Sequence, residues 1–263
     1  MLTSWLLLAC TPPTPFPRDT QRWTEVSLSA QGDARVQTEV LRETHLPDEG
    51  AIGGTGTTLG TRVLRTQGEV QIGAAEPLRF DSGMPRPGDP WVLRWQHAVS
   101  AVPAVIELDA SGRPRAMVDE AAWRSAVTAA VRVLPALPGA EPPIEPATFV
   151  ADLTRSFPGR PPEGAWHRVE PIAGVEAARD EVCQREGRRD GAPLWRCEGS
   201  CQAVTKEGPQ LYEAECWTEV WYDRTGLVGM ETGYVGTRVW MEGGMVSDAP
   251  VAGQQLLVRT VTP

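Results

Sequence analysis

The chain reads as mainly β, an α+β fold of antiparallel meander sheets with one amphipathic helix packed on them. Three observations predict this. Period-2 alternation of apolar and polar residues, rich in β-branched types, runs through most of the sequence. Turn-forming residues are dense, with 26 Gly and 24 Pro among 263 residues. One long segment, 119–134, switches to helical spacing. The strands belong to two related halves or to one large curved sheet.

Residues 23–30, 34–44, 57–66, 68–73, 91–98, 102–109 and 114–118 read as strands of the first half. Turn signals such as Gln31-Gly32-Asp33 separate them at hairpin distances rather than βαβ distances. Asp119 is the expected helix N-cap, and Trp123, Val127, Ala130, Val131 and Leu134 follow on one face. A short second helix is expected over 146–157, with Phe149, Leu153 and Phe157 together. Between the helices, 135–147 holds Pro135, Pro138, Pro142, Pro143 and Pro146, the best internal boundary in the chain. It divides an N-terminal β-rich half, 23–134, from a C-terminal half, 148–263. Strands of the second half are expected at 166–172, 176–185, 193–204, 210–222, 227–240 and 254–262. Asp109-Ala-Ser-Gly112 is echoed by Asp223-Arg-Thr-Gly226, and Gly60-Thr-Arg-Val63 by Gly236-Thr-Arg-Val239, as an old duplication would leave them.

The net charge of −9 argues against nucleic acid and against electrostatic capture by anionic headgroups. Ten Trp against three Tyr and four Phe point to indoles as core anchors.

Five cysteines divide as one plus four. Cys183, Cys197, Cys201 and Cys216 cluster in the second half. The turn 187–191 places Cys183 opposite Cys197, and the turn 206–210 places Cys201 opposite Cys216. The expected disulfides are therefore Cys183–Cys197 and Cys201–Cys216, each worth about 3 kcal/mol for a loop of about 15 residues. The competing reading is a Cys₄ zinc site, but the spacing lacks any C-x₂-C pair. No metal and no cofactor are expected.

A catalytic signature is not found. His45, His97 and His167 are scattered over predicted strands, with no H-E-x-x-H, G-x-S-x-G or Walker A pattern. Asp81-Ser82-Gly83 reads as a turn, and the glycine-rich 50–60 segment as a loop between strands. The protein is read as a non-enzyme; an enzyme assembled from dispersed residues is the least favoured alternative. The one suggestive surface is on strand 211–222. One face carries Tyr212, Ala214, Cys216, Val220 and Tyr222 and reads as core. The other carries Glu213, Glu215, Trp217, Glu219 and Trp221. Trp217 and Trp221, with Glu215 and Glu219, form a candidate platform for a sugar ring or a cationic ligand, or else lie covered by helix 119–134.

Cys10 ends the apolar stretch Trp5-Leu-Leu-Leu-Ala9, and Leu7-Leu8-Ala9-Cys10 resembles the lipobox of bacterial lipoproteins. The proline-rich 11–22 segment behind it suits an extended tether. With the D-x-[ST]-G turns and Phe157-Pro-Gly-Arg-Pro-Pro-Glu-Gly-Ala-Trp166, the layout resembles an uncharacterised family of exported bacterial lipoproteins. That resemblance implies a signal peptide over 1–10, lipid such as palmitate on Cys10, and a place in the cell envelope. The protein would face the periplasm or the cell surface, the outer membrane being favoured, where disulfides persist. It implies membrane attachment through the lipid, an envelope protein or glycan as partner, and a monomer. The family has no assigned activity and transfers no functional residues. The leading expectation is a non-catalytic role, structural or in binding a ligand or partner. The architecture also resembles the periplasmic lipoprotein carriers, which implies as second expectation a hydrophobic-ligand carrier with a cavity under the helix.

Overall fold

A computed structural model describes residues 20–45, 58–134, 145–172, 175–203, 210–223, 226–242 and 245–260. The leader, Cys10, most of the tether, most of the 50–60 loop and most of the 135–147 linker lie outside these residues.

The described chain is mainly antiparallel β. β1 (Thr20–Gln31), β2 (Ala34–His45), β3 (Thr58–Ile72) and β4 (Leu78–Asp81) lead to α1 (Trp91–Ala101). β5 (Ala104–Leu108), β6 (Pro114–Met117), α2 (Glu120–Val131) and α3 (Pro146–Ser156) follow. β7 (Gly164–Ile172), β8 (Val175–Arg189), β9 (Ala192–Ala203), β10 (Gln210–Asp223), β11 (Gly226–Glu242) and β12 (Met245–Thr260) complete it. All strands join one sheet in the order β6-β5-β3-β2-β1-β12-β11-β10-β9-β8-β7, with β4 added beside β3. Of the two arrangements expected, this is the single large sheet. The two sequence halves meet where β1 pairs with β12, from Arg22 opposite Thr260 to Gln31 opposite Val251.

The sheet ends at β6 and β7, and α3 packs against both of these strands. A flat sheet would hold its outermost strands far apart, so the sheet must curl until its two rims meet the same helix. Pro114 and Pro171 stand on these rims, where a missing N–H is tolerated.

The helices fill the inside of this curl at one end. The apolar core joins Trp123, Val127 and Val131 of α2 and Phe149, Val150 and Leu153 of α3 to Trp23, Leu59, Ile106, Val220, Met230 and Leu257 of the strands. α2 starts where the sequence predicts, with Asp119 Oδ1 accepting from Ala122 N at 3.0 Å. Trp123 meets Phe149 at 4.9 Å between ring centroids, and Phe157, following α3, meets Trp23 edge-on at 5.4 Å.

One predicted element changes type. Residues 91–98, expected as a strand, form α1. Trp91, Leu93, Trp95 and His97 mimic alternation, but Trp91 and Trp95 also stand one helical turn apart, and their rings stack at 6.1 Å. His97 is accordingly on a helix, its Nδ1 3.0 Å from Thr66 Oγ1, and burial pushes its imidazole below the usual histidine range. The predicted break between 57–66 and 68–73 disappears for a related reason. Gly68 stays inside one continuous β3, at a point of close approach where a Cβ would come within 2.6 Å of the Gln37 carbonyl and 3.2 Å of Leu93 of α1.

Candidate functional site

The predicted surface on β10 faces away from the helices. Val220 and Tyr222 point into the apolar core, and Glu215, Trp217, Glu219 and Trp221 occupy the alternate positions. Trp217 stands opposite Gly233 of β11, and Trp221 opposite Gly229. Each indole lies across the glycine it faces: a Cβ on Gly233 would come within 2.6 Å of the Trp217 ring, and one on Gly229 would strike the Trp221 ring. Trp221 is 1% exposed, with the Arg189 guanidinium 4.2 Å above its ring. Neither expectation for this pair holds in full. Trp221 is no open platform, yet its cover is Arg189 and the neighbouring strand rather than α2.

The remaining three predicted residues do come together. Glu215, Trp217 and Glu219 share an open groove of about 600 Å³ with Arg196, Glu198 and Glu231. Arg189 is held by Glu219 at 2.9 Å and Glu231 at 2.8 Å, and Arg196 by Glu198 at 2.9 Å. Those carboxylates keep both guanidiniums above their ordinary pKa, although burial opposes them at Arg189. Glu215 is exposed, and among the described residues no cation pairs with it. The groove therefore presents a half-buried indole edge beside spare negative charge.

The opposite, inward face carries groups that sequence reasoning missed. Arg168 of β7 donates through Nε and Nη2 to Glu181 Oε2 at 3.1 and 2.9 Å. Arg179 donates to Glu181 Oε1 at 3.1 Å, to Thr232 Oγ1 at 2.9 Å and to the Trp217 carbonyl at 3.0 Å. Thr218 Oγ1 donates to Glu181 Oε1 at 2.8 Å. All five of these side chains belong to buried residues. The signal was available: Arg179 and Glu181 alternate with exposed positions in step with Cys183, and Thr218 lies between Cys216 and Val220.

Both disulfides lie on this inward face. Cys183 is bonded to Cys197, directly opposite in register with Cα atoms 4.0 Å apart. Cys201 is bonded to Cys216, but there the register argument needs correction. Cys201 stands opposite Ala214, so the bond runs diagonally, with Cα atoms 5.9 Å apart.

Beyond the apolar core, the curl holds a polar cavity of about 190 Å³. Ser27, Thr38, Thr232 and Gln255 wall it from the strands, Gln96 from α1 and Arg155 from α3. Where α1, α2 and α3 meet there is a second cavity of about 100 Å³, bordered by Trp95, Trp123, Phe149 and Leu153.

No compact catalytic arrangement forms at the histidines. His167 Nδ1 is 2.7 Å from Asp180 Oδ1, and Asp180 in turn faces Ser200 across β8 and β9. The carboxylate stands between imidazole and hydroxyl, the wrong order for a base that must reach the nucleophile. Asp81 forms a turn, accepting from Gly83 N at 2.9 Å, and Arg65 is the main cause holding its carboxyl well below the usual range. Among the described residues no group of three or more His, Cys, Asp or Glu is placed to hold a metal ion, and no helix is long and apolar enough to cross a membrane.

No protein-family model and no curated protein matches the chain. Among solved structures, an S-type phycobiliprotein lyase from Guillardia theta is similar at 7% identity, over 92% of this chain and 88% of that one, with a TM-score of 0.26. A likeness at that score carries no argument about this chain.

Proposed function

We propose that this chain is a non-catalytic binding protein, held on the bacterial cell envelope by lipid on Cys10, with the outward groove of β9, β10 and β11 as its recognition surface. The observation that carries the reading is Glu215 beside Trp217: a carboxylate without a cation partner among the described residues, next to an indole laid along the sheet. Such a pair favours a cationic group, from a small amine or from a basic segment of an envelope partner. Two disulfides in adjacent hairpins support an oxidising compartment. The hydrophobic-carrier alternative draws less support, because the cavity bordered by α2 is about 100 Å³, below the roughly 300 Å³ at which small-molecule pockets begin.

A photo-crosslinking residue at position 198, on the wall of the groove with Glu215 and Trp217 left in place, introduced in intact cells, tests this. A covalent adduct in the membrane fraction that Trp217→Ala abolishes, and that leaves the membrane with Cys10→Ser, is the expected result. Absence of any adduct, together with unchanged fractionation of Cys10→Ser, would overturn both parts.

A further inference from the structure

The solvent face of the central strands carries apolar side chains where a sheet open to water presents polar ones. Val26, Leu28 and Ala30 of β1 alternate with the inward Ser27 and Ser29, and stand opposite Leu256, Gln254 and Ala252 of β12. Leu28 is 45% exposed, and Val235 of β11, opposite Ala252, is 64% exposed. The patch meets the groove without a break. Gly233, under the Trp217 indole, faces Gln254, and Glu215 faces Val235.

Carboxylates border the patch on both sides. Glu39 of β2 is exposed opposite Val26, and Glu231 of β11 stands opposite Leu256, with Glu219 of β10 beyond it. Glu215 is the fourth. Against them stand Arg189, already held by Glu219 and Glu231, and Arg35, exposed opposite Ala30. An apolar centre inside a charged rim is the anatomy of a surface that a partner desolvates.

We infer that a basic amphipathic helix of a partner protein lies on this face, its apolar side on Leu28 and Leu256 and its Lys or Arg side chains toward Glu215 and Glu39. The inference rests on the groove being a recognition surface, and it selects a protein segment over a small amine. Size agrees: Thr24 to Ala30 spans about 20 Å and β10 to β2 about 19 Å at ordinary strand spacings, room for about 13 residues of helix. The face covers about 400 Å², half of what each copy gives a stable dimer. Two acidic rims would also repel each other, and an anionic membrane would repel them likewise.

Fluorescence anisotropy with the full chain carrying Cys10→Ser tests this, using three labelled peptides of about 18 residues. One is a Leu/Lys amphipathic helix, one its Leu/Glu counterpart, and one a Ser/Lys peptide of the same charge as the first. The Leu/Lys peptide should bind saturably and at least about 10-fold tighter than either of the others. Leu28→Thr/Leu256→Thr should weaken it by about 10-fold or more and leave the Ser/Lys peptide unchanged, whereas Glu215→Gln should weaken both. Circular dichroism checks that the double variant folds, and Leu28→Thr alone serves if it does not. No saturable Leu/Lys binding, binding that ignores the Thr substitutions, or equal binding of the Leu/Glu peptide would overturn the inference. If Leu/Lys or Ser/Lys binding still follows Glu215→Gln, the groove reading stands. Binding that follows the Thr substitutions but not Glu215→Gln upholds the patch and overturns the groove reading instead. Attachment of the chain to phosphatidylglycerol vesicles, abolished by the same Thr substitutions, would assign the face to a membrane and overturn the inference.

Discussion

Trp217 of β10 and Gly233 of β11 form one surface: the indole occupies the space that a side chain on residue 233 would need, and a Cβ there would lie 2.6 Å from the ring. The same pairing recurs four residues further along each strand, at Trp221 and Gly229. Glycine is thus fixed on β11 by the aromatic residues of β10. Gly233→Ala should destabilise the fold by about 1–3 kcal/mol through overpacking, read as a lower denaturant midpoint. Full stability in Gly233→Ala would show that the indole is free to move off the strand.

Glu181 holds two buried guanidiniums at once. Removing one member of such a group leaves charge buried without its partner, and Glu181→Ala should cost about 3–5 kcal/mol. Urea denaturation checks this. A loss below about 1 kcal/mol, the range of exposed ion pairs, would place the group in contact with water.

The disulfides span 14 and 15 positions. Each should contribute about 2–4 kcal/mol by limiting the unfolded chain. Cys201→Ala/Cys216→Ala should therefore melt well below the parent protein, and a reductant should lower the parent's melting temperature without lowering that of a variant lacking all four cysteines. Peptide mapping without reduction should yield 183 linked to 197 and 201 linked to 216.

Tyr222 is buried and its hydroxyl donates to the Gly159 carbonyl at 2.8 Å. Burial is the main cause pushing its phenol well above the ordinary tyrosine value. The folded protein therefore keeps this proton to higher pH than the unfolded chain does. Its stabilising contribution is complete below pH about 10 and is lost as pH rises from there toward the folded value. Tyr222→Phe should be less stable at neutral pH by about 1–3 kcal/mol, and the gap between the two proteins should narrow as the pH is raised above about 10. A gap that stays constant over that range would contradict a buried, protonated phenol.

How much of this was legible depended on how local the deciding forces are. The N-cap of α2 is set by Asp119 and its own backbone, so sequence alone located it. The alternation in α1 misleads because its partners are distant: Leu93 packs over Gly68 of β3, a contact between residues far apart in the chain. The Cys183–Cys197 register follows from a tight turn at Asp190-Gly191 together with a register shift between Arg185 and Arg188, without which Gln184 would face Cys197. The Cys201–Cys216 link is diagonal because the β9–β10 pairing sets Ala214 opposite Cys201 and Gly199 opposite Cys216, an offset that alternation does not announce. The groove residues were legible because an acidic strand face is unusual, whereas the inner cavity was not. Its walls come from β1, β2, β8, β11, β12, α1 and α3, and no short stretch of sequence contains more than a fragment of it.

The position of α3 between β6 and β7 has one further consequence. An open sheet has two rims of unsatisfied backbone groups, each a template for a strand from another molecule. Here a single amphipathic helix guards both rims at once. If α3 detaches, both become available together, and copies of the chain acquire two complementary sticky ends, the condition for linear polymerisation rather than simple pairing.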